Sequence, residues 1–504
     1  MVQLLQQAGK TTYLLFSNNI GMHYEYEQFE NKMHRSVVSN FHYRNTQDTE
    51  EVRCIIMTVN KTIAKLGLTT AFNTLYRNPD VNLNKLLNWA DKFDKENLYS
   101  NQRAAIRKAV NDPKDPYYPF VSHVINDVDP GVMKTIATNF MINANLVSGP
   151  IQERLRKEYK CNIPWAILLD PTTACNLHCI GCWAADYEKN VNLTFEEMDD
   201  IILQGKKMGI YFYLFSGGEP LVRKKDIIRL CEKHDDCMFT AFTNGTLIDE
   251  SFADEMLRVM NFAPAISLEG FGEATDSRRG KGVYNHVLKA MRLLRERKLV
   301  YGISCCYTSE NYEAITSEAY WDMMIENGAF FVWYFHYMPV GNDASTNLLL
   351  TPNQRELVYH RIRHYRSTKP LFAIDFQNDG EYINGCIAGG RRYMHINANG
   401  DAEPCAFIHF ADSNIRNKSL LDILRSPLFM AYHDNQPFNG NMLQPCPMLE
   451  NPDKLRRIIR DTHAKSTDMF SPESADHLCS KCDTYALCWR FKAESLWEER
   501  ENKI

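Results

Sequence analysis

A chain of 504 residues has material for two to four domains and a sizeable core. With 44% hydrophobic and 24% charged residues it has the composition of an ordinary globular protein, and a net charge of −5 without a long basic run excludes nucleic acid as a main partner. No apolar stretch approaches the roughly 18–20 residues that span a bilayer. Residues 1–10 lack the charged start, apolar core and small-residue cleavage site of a signal peptide, so a cytoplasmic location is expected. Fifteen cysteines in such a chain read as reduced thiols and metal ligands, not as a disulfide scaffold.

In chain order, residues 1–50 are polar and aperiodic and receive no fold; disorder fits that composition. Ala8-Gly-Lys-Thr-Thr12 imitates the tail of a phosphate-binding loop, but that motif's first glycine would fall at Leu4, so the match fails. Residues 51–150 repeat apolar positions at three- and four-residue steps and predict a helical extension. Its ordinary role is packing on a neighbouring domain; capping a substrate or lying on a membrane surface is the alternative. From Trp165 onward, short apolar runs at 165–169, 211–215, 238–242, 264–268, 300–307 and 330–335 predict strands separated by helices. One helix opens with a capping box, Thr194 with Glu197, and carries Phe195, Met198, Ile201 and Ile202 on one face. Another, over 283–294, runs into Arg295, Arg297 and Lys298, where positive charge suits a helix C-terminus. Six such units imply a parallel sheet covered by helices over 160–345, with ligands collecting at the strand C-terminal ends. A bridge over 346–380 follows, with a helix starting at Thr351-Pro-Asn-Gln354 and a run at 371–376. A cysteine-rich region over 381–495 completes the organisation.

The chemistry concentrates just after the first strand, at Cys175-Asn-Leu-His-Cys179-Ile-Gly-Cys182. This spacing is too tight for disulfides and one ligand short of a closed zinc site. Three thiolates can hold three irons of a cubane and leave the fourth without a protein ligand. The other strand ends are also polar or glycine-rich: Ser216-Gly217-Gly218-Glu219-Pro220, Thr243-Asn244-Gly245, Ser267-Leu-Glu269-Gly270 with Asp276-Ser-Arg-Arg279, and Pro339-Val-Gly341. Paired glycines let a ligand approach the backbone, and Glu219 can accept from an ammonium.

The Cys-x3-Cys-x2-Cys run, with Gly-Gly-Glu-Pro about forty residues later, resembles the radical S-adenosylmethionine (SAM) superfamily over about 165–345. The resemblance implies an α/β fold with a partial (β/α)6 TIM-like barrel. Cys175, Cys179 and Cys182 would hold a [4Fe–4S] cluster whose open iron chelates SAM. Gly217, Gly218, Glu219 and Pro220 would meet the SAM amino group, and Asn244, Ser267, Glu269 and Arg279 the ribose and carboxylate. The aromatic residue usual before the third cysteine is Gly181 here, so Trp183 is expected to shield the adenine. The implied reaction passes one electron to the sulfonium, and the resulting 5′-deoxyadenosyl radical abstracts hydrogen from a substrate, under anaerobic conditions and with a flavodoxin- or ferredoxin-type donor. The alternatives are a zinc knuckle with a coincidental Gly-Gly-Glu-Pro, and an iron–sulfur electron carrier or scaffold sharing the barrel.

Cys386, Gly400-x4-Cys405, Cys446 and Cys479-x2-Cys482-x5-Cys488 resemble the SPASM/twitch extension of such enzymes, which holds auxiliary [4Fe–4S] clusters. Lys492 stands where a further cysteine is usual, and Cys446 is additional. Two fully ligated cubanes need eight thiolates, so one auxiliary cluster among Cys386, Cys405, Cys446, Cys479 and Cys482 is expected, with structural zinc as the alternative. The sulfatase-activating branch carries an aspartate base where Ala406 stands, which disfavours that activity. The helical 51–150 region argues against a strand-rich peptide-leader domain and suits a bulky apolar substrate, including a lipid or tetrapyrrole, while a peptide or another small molecule stays open as substrate. His336, Tyr337, Asp375, Asp379 and Glu381 are the candidate substrate-pocket residues.

Overall fold

The computed structural model describes residues 83–84, 87–88, 100–184 and 190–501. The readings of residues 1–50 and most of those for 51–99 lie outside the described residues. The chain divides into two compact units, and Asn111–Ile504 belongs to the larger. Most of a helix, Ser100–Asn111, falls in the smaller one.

The larger unit begins with helices α1 (Tyr118–Asn126) and α2 (Pro130–Ile136). Asp129 caps α2 by accepting from the amides of Gly131 and Val132, with proline in the first turn. The chain then enters an eleven-residue π-helix, Ala137–Val147, before α3 (Ser148–Tyr159). Two buried asparagines explain why this wider coil is useful here. Asn139 donates to the carbonyls of Asp235 and Cys237 at 2.7 and 2.8 Å, and Asn143 to that of Asp236 at 2.8 Å. The segment thus docks, through side-chain amides, on the turn that leads into a central strand.

Six parallel strands follow: β1 (Ala166–Leu169), β2 (Phe212–Phe215), β3 (Met238–Thr243), β4 (Ala265–Ser267), β5 (Gly302–Tyr307) and β6 (Phe331–His336). Two later strands extend the sheet at its opposite edges. β7 (Phe372–Asp375) pairs with β6, and β8 (Tyr393–Ile396) pairs in parallel with β1, Ala166 opposite Tyr393. A short β9 (Ala402–Glu403) adds antiparallel to β8, giving the order β7-β6-β5-β4-β3-β2-β1-β8-β9. The sheet is an open partial barrel, and β1, with a neighbour on each side, is buried at all four residues.

Helices cover the sheet. In α4 (Phe195–Lys207) the Thr194/Glu197 capping box forms, and Met198, Ile201 and Ile202 are buried. Helix α5 (Val283–Glu296) buries Val287, Ala290, Met291 and Leu294; each large side chain there contributes about 1.5–3 kcal/mol. Helix α6 (Pro352–Thr368) starts with the Thr351/Gln354 capping box and proline in the first turn. Beyond β9, helices α7 (Pro427–Asn435), α8 (Pro452–Thr462) and α9 (Ala475–Glu501) enclose a second core containing Tyr432, Cys479, Cys482 and Trp489. Trp183 and Tyr393 pack against both cores. No helix among the described residues is long and apolar enough to cross a membrane.

Candidate active site

The three-cysteine loop leaves the C-terminal end of β1 and is held by backbone hydrogen bonds to the strands beside it. The amides of Gly218 and Glu219 donate to the carbonyls of Thr172 and Ala174 at 3.0 and 2.8 Å, and Ile180 exchanges with Arg278. The contact explains the paired glycines: a Cβ on Gly218 would collide with the Ala174 carbonyl and lie 2.5 Å from that of Thr173. Asn244 braces the same loop, donating to Asn176 at 2.9 Å while its own amide donates to Glu219 at 2.7 Å.

Cys175 is an exposed residue and Cys179 and Cys182 are half-buried. Enough protein crowds the Cys175 sulfur that desolvation pushes its thiol up to about 11, with Glu219, Cys182 and Cys179 adding to the effect. Arg279 approaches the Cys179 sulfur at 4.0 Å. Among the described residues no three His, Cys, Asp or Glu side chains converge tightly enough to hold a single metal ion. The donor set, three mutually close thiols on a loop braced from outside, fits three irons of a cluster.

The strand-end residues form a layer beneath this loop. Glu219, buried, accepts from Thr243 Oγ1 (2.6 Å) and the amides of Leu221 (3.0 Å) and Asn244 (2.7 Å), which ties β2 to β3 and starts the short 3-10 helix Pro220–Arg223. Its carboxylate is engaged by these three donors inside the protein. Ser267 ends β4 and is nearly buried. Glu269, fully buried, meets Arg278 at 2.8 Å and Arg279 at 2.5 Å. Burial pushes its carboxyl up, but the two guanidiniums outweigh this and hold it below the ordinary value. Arg278, absent from the sequence reading, is the residue that joins this pair to the cysteine loop.

Trp183 turns away from that layer. Its ring packs edge-on to His395, Phe407 and His409 at 5.8, 6.1 and 5.8 Å. The space beside Gly181 is instead filled by Tyr337: a Cβ on Gly181, at φ +65°, would lie 2.7 Å from the Tyr337 ring and 2.9 Å from Leu348. The tyrosine that follows β6 thus occupies the position next to the third cysteine that an aromatic at 181 would take.

Of the other pocket candidates, Asp375 and Asp379 lie together, the Asp375 amide donating to Asp379 at 2.8 Å, and Tyr307 connects Asp375 to His336 through a hydrogen bond and an edge-on ring contact. His336 is buried, shares a hydrogen bond with Tyr485 Oη at 2.9 Å, and is pushed down to about 3 by burial and Arg355. Asp375 accepts from Tyr307 and Asn378, and burial beside Asp379 pushes it up to about 6. Asp379 pairs with Arg366 at 2.7 Å, and Glu381 with Arg363 and Arg500. These carboxylates fasten α6 to the segment after β7.

The C-terminal cysteines divide. Burial is the main cause that pushes Cys386 up to about 12 and Cys405 to about 11; Cys405 adds to the rise of Cys386, and Cys386 and Cys405 both add to that of Cys446. Cys479 and Cys482 are buried one turn apart on α9. Tyr432 lies within electrostatic reach of Cys386, Cys405, Cys446 and Cys479, and its buried hydroxyl has no hydrogen-bond partner among the described residues. Four thiols within electrostatic reach of one orphaned hydroxyl match, in number and kind, the ligand set of one fully ligated cubane. Cys488 stands on the exposed side of α9.

Residues 169–316 match the family model of the radical SAM superfamily, and residues 386–448 that of the SPASM iron-sulfur cluster-binding domain. The chain is 27% identical over 230 residues to an Fe-coproporphyrin III synthase of Methanosarcina barkeri, a match covering 43% of this chain and 57% of that protein, under two thirds of its length. It is 23% identical over 309 residues to an AdoMet-dependent heme synthase of the same organism, covering 55% and 87%, and 28% identical over 295 residues to the PqqA peptide cyclase of Granulibacter bethesdensis, covering 53% and 76%. The crystal structure of Streptococcus suis SuiB bound to S-adenosylmethionine shares the fold, with a TM-score of 0.51 at 21% identity, over 67% of this chain and 82% of that one. A radical SAM domain implies a [4Fe–4S] cluster and SAM, and a SPASM domain implies auxiliary iron–sulfur.

Proposed function

We propose that this chain, which carries a radical SAM domain followed by a SPASM domain, is an enzyme that cleaves SAM reductively at the Cys175–Cys179–Cys182 loop and takes a hydrogen atom from a flat, conjugated substrate in the barrel mouth. The observation that carries this reading is the loop itself, three close thiols at the end of β1 against a glycine turn. When bound, the cluster and SAM supply the 5′-deoxyadenosyl radical. The protein's own part is to hold the thiols, through Gly218, Asn244 and Arg278, and to keep water away. One auxiliary cluster on Cys386, Cys405, Cys446 and Cys479 completes the centre, and a flavodoxin- or ferredoxin-type protein would deliver the electron.

The substrate class rests on the concave side of β6. Tyr334 points toward the helices, donating to the Ile315 carbonyl and stacking on Trp321. Phe331, Trp333 and Phe335 alternate to the other face and are only half-buried. Phe242 lies 5.1 Å from Trp333, Phe376 4.5 Å from Phe335, and Phe407 links Phe335 to Trp183. Such a wall of rings suits a conjugated planar substrate, and the tetrapyrrole named in the first relative belongs to that class.

Anaerobic reconstitution with iron, sulfide, dithionite and SAM is expected to yield 5′-deoxyadenosine; none from the wild type under reducing conditions overturns the reaction class. Iron content of about eight per chain, falling to about four in Cys446→Ala and unchanged in Cys488→Ala, is expected for the auxiliary site. Coproporphyrin III should quench tryptophan fluorescence in the wild type and less in Trp333→Leu; absence of quenching in both removes the planar-substrate reading and leaves a peptide.

A further inference from the structure

Two tyrosines approach the auxiliary thiols from different elements, and neither is required by the cysteine spacing. Tyr393 opens β8, where pairing with Ala166 of β1 fixes its backbone, and its hydroxyl donates to the Cys405 sulfur at 2.6 Å. Tyr432, on α7, is fully buried and lies within electrostatic reach of Cys386, Cys405, Cys446 and Cys479. Its hydroxyl has no partner among the described residues. Leaving a buried hydroxyl unsatisfied costs about 1–3 kcal/mol, so an acceptor other than the protein's own atoms is expected beside it.

We infer that Tyr393 and Tyr432 donate hydrogen bonds to the sulfurs of the auxiliary cluster and raise its reduction potential. This rests on the reading that Cys386, Cys405, Cys446 and Cys479 hold that cluster. An O–H dipole with its hydrogen toward sulfur stabilises the added electron of the reduced cluster, and hydrogen bonds to sulfur are among the protein's means of setting such potentials. Both tyrosines are positioning residues; neither touches the barrel mouth where chemistry is proposed.

The test uses full-length protein in which Cys175, Cys179 and Cys182 are alanine, reconstituted anaerobically, so that the auxiliary cluster alone is titrated. Redox titration followed by the electron paramagnetic resonance signal of the reduced cluster is expected to show a lower midpoint potential in Tyr393→Phe and in Tyr432→Phe, and a larger drop in the double variant, at unchanged iron content. Incorporation of 3-fluorotyrosine at position 432, which keeps the shape and strengthens the donor, is expected to move the potential up. That measurement decides the matter if Tyr432→Phe loses iron. A full cluster whose potential is unmoved by all of these substitutions overturns the proposal alone. Absence of any cluster from the triple-alanine background overturns it through the ligand reading beneath it.

Discussion

Cys175, Cys179 and Cys182 share one exposed to half-buried loop, eight residues long, fastened by backbone hydrogen bonds to neighbouring strand ends. Cys386, Cys405, Cys446, Cys479 and Cys482 come from four separate segments and are gathered by a hydrophobic core of which Cys479 and Cys482 are themselves part. A loop braced from outside leaves a face open to a small molecule, and its thiols can be removed without disturbing what holds the fold. A site assembled from a core is closed to ligands, and its thiols are also packing. The two regions should therefore respond in opposite ways to substitution: one loses chemistry and keeps stability, the other loses both.

The largest expected effect is on the first side of that contrast. Cys179→Ala should reduce 5′-deoxyadenosine formation to background, while the unfolding free energy changes by no more than about 0.5 kcal/mol, as for a surface position. A loss of several kcal/mol in the same variant would erase the distinction. On the other side, Arg355→Ala should destabilise the chain by about 3–5 kcal/mol in chemical denaturation. Arg355 is fully buried, pairs with Glu450 at 2.7 Å, bonds Tyr485 and Asn378, and lies 4.1 Å over the Trp489 ring. Glu450 in turn accepts from the Cys446 amide at 2.7 Å, so the variant is also expected to lose auxiliary iron. Lysine, lacking the planar fork, should not restore either property. Iron retained in Arg355→Ala would detach the cluster site from the core.

A smaller effect sharpens the comparison at the point where the open loop meets the barrel. Gly181→Ala should cost about 1–3 kcal/mol through its left-handed backbone and the Tyr337 ring, and weaken SAM binding measured by calorimetry. In a Tyr337→Ala background the ring is gone and part of that loss should return. Equal losses in both backgrounds would show that Tyr337 does not set the space beside the third cysteine.

What could be read in advance follows the same division. Strands β1–β6 were legible because each is a short apolar run, and both capping boxes because their partners sit three residues apart. The cysteine loop was legible for the same reason: its chemistry is local. The parallel pairing of β8 with β1, some two hundred residues apart, has no local signal, and neither does the docking of Trp183 on Phe407, His395 and His409. The π-helix was read only as helix, because a periodicity of three and four does not reveal that asparagines will bond outward. Glu219 read as an acceptor for a ligand, and the donors it meets in the fold come from Thr243 at the end of β3, Asn244 just after it and Leu221 of its own turn. Tyr393 and Tyr432 sit among ordinary apolar positions, and only the convergence of separate elements shows what they face.

The finest expected effect concerns the seam between the two regions. His395 of β8 lies between Asp170, at the end of β1, and Glu403 of β9, at 2.9 and 2.6 Å, with all three side chains fully buried. Burial alone would push its pKa down, but the two carboxylates outweigh that and hold the imidazolium up to about 10. The unfolded value is about 6.5, so the folded state binds the proton more tightly. The stabilisation is complete below pH about 6.5 and is lost as pH rises toward 10, with a slope no steeper than about 1.4 kcal/mol per pH unit. Denaturation of the reconstituted protein at intervals between pH 6.5 and 10 should therefore show stability falling in the wild type and a flatter profile in His395→Gln, the gap between them narrowing toward pH 10. Parallel profiles would mean that the seam is held by packing around Trp183 and Tyr393, and that the charge between β1, β8 and β9 contributes nothing to joining the open site to the closed one.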